Sequence, residues 1–112
     1  MENIRETLRL FGITSRYKGY KHVAYAVHLA VIENERLESV TQEIYVDTAK
    51  HFGCKWTAVE RNIRTAVARA WKVNPKLLCQ MAGYPLAVSP TASEFIEILS
   101  SYLIRSRQAV TL

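Results

Sequence analysis

The side chains best suited to chemistry fall between Lys55 and Arg69, where they recur at helical spacing. Arg61 carries a planar donor fork that can give two hydrogen bonds to O6 and N7 of a guanine, and its neighbour Glu60 can accept from a cytosine amino group. Lys55, Thr57, Arg64 and Arg69 suit phosphate oxygens. Thr41 and Gln42 suit them too, at the expected start of the preceding helix, where backbone N–H groups attract anions. From Gly53 to Lys76, six cations (Lys55, Arg61, Arg64, Arg69, Lys72, Lys76) stand against the single acid Glu60, so this stretch alone matches the chain's formal net charge of +5. Residues Ala30 to Asp47 reverse the balance, with Glu33, Glu35, Glu38, Glu43 and Asp47 against Arg36. Cations segregated in this way point to a polyanion as partner.

Plainer roles compete at several of these positions. Glu60 follows Thr57 by three residues and would also complete a capping box. Arg69, toward the far end of its helix, equally suits an ion pair with a distant acid. Trp56 fits either a stack on a sugar or a cover over the turn, and Trp71 reads as core.

The elements that must position these groups are helical, because strand-like alternation is absent and no internal repeat or linker interrupts the chain. An all-α, single six-helix domain over 1–112 is expected, with a helix-turn-helix at about 40–72. The first helix, about Glu2 to Phe11, aligns Ile4, Leu8 and Phe11 and ends at Gly12. A second, about Tyr20 to Glu33, has Val23, Val27, Ala30 and Val31 on a broad apolar face and should be the centre of the core. Leu37 and Val40 pack the connection, and Ser39 with Gln42 would cap the third helix, Thr41 to Phe52. Gly53 supplies the left-handed residue that ends it. The fourth helix, about 57–72, keeps Val59, Ile63, Val67, Ala70 and Trp71 inward, which turns Thr57, Ala58, Arg61, Arg64, Thr65 and Ala68 outward. Asn74-Pro75 opens a short fifth helix closed by Gly83, and a Thr91/Glu94 capping box opens a sixth bearing Phe95, Ile98, Leu99, Tyr102 and Leu103.

Composition excludes several other classes. At 112 residues and 49% apolar content the chain suits one modest core. Its longest apolar stretch, Val23 to Ile32, is well short of the roughly 20 residues a membrane span needs. Arg5, Glu6 and Arg9 interrupt the N-terminus and argue against a signal peptide, so a cytoplasmic, nucleoid-associated location is expected. Cys54 and Cys79 lack CxxC spacing and read as reduced thiols. His22, His28 and His51 do not share a helical face at ligand spacing, so no metal or other cofactor is expected. Ser100-Ser101 has no convincing base, and no catalytic set emerges, so the chain does not read as an enzyme.

Several strings together resemble one family. Lys18-Gly19-Tyr20, Val40-Thr41 with Tyr45, Val59-Glu60-Arg61 followed by Ile63-Arg64 and Ala70-Trp71, Gly83-Tyr84, and Pro90-Thr91 with Ser93-Glu94-Phe95-Ile96 are similar to the C-terminal effector domain of the sporulation stage-zero master response regulator. That resemblance implies a six-helix DNA-binding domain whose fourth helix enters the major groove of a short promoter box, often in tandem copies. It also implies contact with the housekeeping RNA polymerase sigma factor, activation by phosphorylation of a preceding receiver domain, and a possible dimer face on the last helix. Met1 falls at the start of the effector-like region, so the expectation is either an excerpt of a longer protein or a homologue that stands alone without a receiver. The chain departs from the family at Ala58, where an arginine is usual, at Trp56, where a small residue is usual, and at Thr65, where a histidine is usual.

The expected function is sequence-specific binding of double-stranded DNA by a transcription regulator, with weak self-association on tandem sites. The alternative is a protein-interaction module that binds RNA polymerase or a full-length paralogue without operator recognition.

Overall fold

A computed structural model describes the backbone of residues 2–111 and the side chains of residues 3–106. Six α-helices account for most of the described residues: α1 (Glu2–Arg9), α2 (Tyr20–Ile32), α3 (Val46–Phe52), α4 (Trp56–Val73), α5 (Pro75–Ala82) and α6 (Ala92–Thr111). No strand occurs among them. Helix α2 is the hub, packed on α1, α4 and α6, with Val23, Ala26, Val27 and Ala30 fully buried. Phe11, Leu8, Ile63, Leu78, Phe95 and Leu99 join them in one continuous core. None of the described helices is both long and apolar enough to cross a membrane.

Several ends form for the local reasons the residues suggest. Asn74 accepts the Leu77 N–H at 3.2 Å, and Pro75 sets the first turn of α5. Thr91 Oγ1 accepts from Glu94 N at 3.1 Å while Glu94 Oε1 accepts from Thr91 N at 2.8 Å, a complete capping box. Gly53, at φ 68°, ends α3.

Three expectations need correction. Ser39 and Gln42 do not cap a helix. A 3₁₀ turn, Asn34–Ser39, runs through helical Val40 into a π-turn, Thr41–Tyr45, that continues as α3. The cause is tertiary: Arg36 donates to Asp47 at 2.7 Å, to Glu33 at 3.2 Å and to the Glu43 carbonyl, which draws the turn onto the helix. Thr57 and Glu60 form no capping box either, because α4 begins one residue earlier and no side chain caps it. Trp71 lies at the edge of the core, half-buried, and not within it.

Gly19 fixes how α2 meets α4. Its φ is +90°, and a Cβ there would lie 2.9 Å from Asn62 Cβ. Gly19→Ala is expected to lose more stability than Gly53→Ala. The second change carries only the left-handed penalty of about 1–2 kcal/mol, since nothing lies within 4 Å of a Cβ at Gly53. Urea unfolding of both variants measures the difference.

Candidate nucleic-acid interface

The turn of Gly53, Cys54 and Lys55 joins α3 to α4, with Ala49 and Val59 buried where the helices cross. Val59, Ile63, Ala66, Val67 and Ala70 bury the inner side of α4. The apolar stripe thereby orients the opposite side: Lys55, Thr57, Arg61, Arg64, Thr65 and Ala68 are exposed, and Ala58 is half-exposed.

Arg61 forms no ion pair among the described residues, and it lines an open cleft with Tyr17, Lys18, Ala58, Asn62 and Thr65. Its guanidinium keeps its donors available. Glu60 behaves differently: Arg64 Nη1 donates to its two oxygens at 3.0 and 3.3 Å. A carboxylate has about four acceptor sites, so this pair still leaves Glu60 able to accept from a base. Glu60 also acts on Tyr45, whose hydroxyl is pushed up to about 12, first by burial and then by that negative charge.

Lys55 has extended dihedrals at the N-cap, and the first turn of the 18-residue α4 contains no acid. An uncapped helix start of this kind favours an anion. Thr57 stands exposed at that start. Thr41 is half-buried and Gln42 exposed, but neither heads a free helix end, because the 3₁₀ turn leads straight in. Any phosphate contact they make must come from their side chains.

Arg69 uses one of its donors within the fold. Its Nε donates to the Gly12 carbonyl at 2.9 Å, and its guanidinium lies over the Tyr17 ring at 5.8 Å. Tyr17 in turn donates to the Thr65 carbonyl at 3.3 Å. Arg69 thus braces the 10–19 loop against α4. That bracing brings Lys18, exposed, to the Arg61 cleft. Lys50, on α3, lines a second groove with Val46, Ala49, Cys54, Lys55, Trp56 and Thr57. Neither lysine stood out as a contact from local spacing. The available signal was a cation beside a glycine ahead of a helix, at Lys18-Gly19.

Trp56 is 42% exposed and lines the groove beside the turn. Cys54 and Cys79 are free thiols. Among the described residues no group of three or more His, Cys, Asp or Glu is arranged to hold a metal ion.

The arrangement combines an exposed, donor-rich helix face, a buried underside, an uncapped helix start and cations from a braced loop. These are the parts of a helix-turn-helix surface that meets nucleic acid. The sequence profile described as sporulation initiation factor Spo0A C terminal matches residues 4–103, and the chain belongs to that family of DNA-binding, transcription-regulating effector domains.

Proposed function

We propose that the chain is a sequence-specific double-stranded DNA-binding regulator that lays α4 in the major groove. Arg61 and Glu60 read base edges, while Lys55, Thr57, Arg64 and Lys18 hold phosphates, with Thr41 and Gln42 at the margin. The observation that carries this reading is the outward Arg61, free of ion pairs among the described residues, on a helix whose other side is buried. Contact with an RNA polymerase sigma factor and weak self-association on tandem sites are further parts of the proposal, supported by family membership.

Titrating a randomised duplex library at near-physiological salt, and sequencing what is retained, tests the reading. An enriched motif is expected. Retention without enrichment leaves only charge-driven affinity and overturns sequence readout. One observation favours the interaction-module alternative: Ala58, one turn before Arg61, gives the face no donor there. No DNA binding, together with capture of a polymerase subunit, would favour that reading.

Lys18→Ala is expected to weaken binding equally on all duplexes and to lower the salt slope by about 1. Titration at several salt concentrations measures it, and a sequence-dependent loss would place Lys18 at a base instead.

A further inference from the structure

The turn between α3 and α4 holds a nucleophile that DNA contact does not use. Cys54 is exposed there, with its Sγ 3.8 Å from Nε2 of His22. His22 reaches it from the first turn of α2, and Nδ1 of the same ring lies 2.8 Å from Asn62 Nδ2 on α4. An amide N–H donating to Nδ1 leaves the neutral ring's proton on Nε2, the nitrogen aimed at the sulfur. Burial, with Lys21 adding to it, holds His22 below the usual imidazole range and keeps it in that neutral form at pH 7. Phe52 packs against the ring with centroids 5.3 Å apart, which fixes its position. Three elements therefore meet at one sulfur: α2 supplies the donor, α4 orients it and the turn presents the thiol. Cys79 is the contrast, half-buried and accepting the Leu86 N–H at 3.4 Å.

We propose that Cys54 is a thiol-modification site for low-molecular-weight disulfides, positioned by His22 and Asn62, and that the adduct switches off DNA contact. The sulfur anion of Cys54 attacks one sulfur of R–S–S–R, with its charge solvated by His22 Nε2–H. A new S–S bond forms as the old one breaks, and the leaving thiolate takes up a proton equivalent to the one Cys54 released. Cys54–SH and R–S–S–R become Cys54–S–S–R and RSH; one S–S bond replaces another, and the Cys54 sulfur is oxidised to the disulfide level as the leaving sulfur is reduced to a thiol. The switching half rests on the DNA-binding reading. Cys54 shares its groove with Lys50, Lys55, Trp56 and Thr57, so an anionic adduct puts bulk and negative charge among phosphate donors.

The test uses 5,5′-dithiobis(2-nitrobenzoate) on the full chain in a Cys79→Ser background. Cys54 is expected to react about tenfold faster than in His22→Phe, which keeps a ring but removes the donor. Asn62→Ala, which leaves the imidazole in place, should slow it by the same route, and His22→Gln, which keeps a donor, should restore part of the rate. In the chain with both cysteines, the Cys79 rate should not follow these changes, whereas a loosened fold would raise it. Equal Cys54 rates in folded His22→Phe, folded Asn62→Ala and the parent overturn the site. Labelled protein should bind duplex DNA at least about tenfold more weakly, because anionic bulk displaces more than one phosphate contact. Dithiothreitol should restore binding, and Cys54→Ser should be indifferent to the reagent. Unchanged DNA binding by labelled protein overturns the switch. Unlabelled protein that fails to bind DNA while Cys54 keeps its His22-dependent rate overturns the DNA-binding reading and leaves the thiol site standing.

Discussion

Arg61→Ala is expected to weaken binding to the preferred duplex by about 1–3 kcal/mol, roughly 5- to 150-fold in Kd. The same change should cost much less on a scrambled duplex, so the gap between the two narrows. The reasoning is geometric: the fork is exposed and free of ion pairs among the described residues, and lies in the second turn of α4, within the N-terminal part that recognition helices offer to bases. Arg64→Ala makes the informative contrast. Arg64 already pairs with Glu60 at 3.0 Å, so its removal deletes a cation and also leaves an acid unpaired beside the phosphates. Its loss should therefore spread evenly over all sequences. Anisotropy titrations of both variants on enriched and scrambled duplexes measure the difference, and equal losses for Arg61→Ala on the two duplexes would remove it from base readout.

Phe95→Ala should have the largest effect on stability, about 3–5 kcal/mol. Phe95 is fully buried on α6 and meets Phe11 edge-on, with ring centroids 6.2 Å apart. A domain of this kind has only about 5–15 kcal/mol in total, so the variant should be partly unfolded at 37 °C. Phe11 lies beyond the end of α1, so this pair ties the N-terminal segment to the last helix. A double-mutant cycle with Phe11→Ala should show a coupling of about 0.5–1.5 kcal/mol beyond burial alone. Urea unfolding checks both values. A loss below about 1 kcal/mol for Phe95→Ala would mean that the core does not close around this ring.

How much was legible beforehand depended on the range of the forces involved. Asn74-Pro75, Thr91 with Glu94, and Gly53 act within one helical turn, and each forms as its local chemistry suggests. The apolar stripe of α4 likewise decided which side faces out, because helical geometry alone relates Val59, Ile63 and Val67 to Arg61. The failures have two causes. The Ser39/Gln42 cap was displaced by Arg36 reaching Asp47, eleven positions away, whereas Glu60 turned to Arg64 instead of to a backbone N–H, one local pairing winning over another.

Amino-acid order by itself determined the all-helical architecture, the helix-turn-helix, the cationic outer face of α4 and, through its strings, the family. Periodicity and capping are properties of neighbours along the chain, so they can be read from it. Only the tertiary structure decided that Arg69 braces Gly12 across 57 positions, that Lys18 joins the Arg61 cleft, and that His22 and Asn62 converge on Cys54. Those contacts depend on how α2 is set against α4 at the close approach of Gly19 to Asn62, a distance in space that no local spacing encodes.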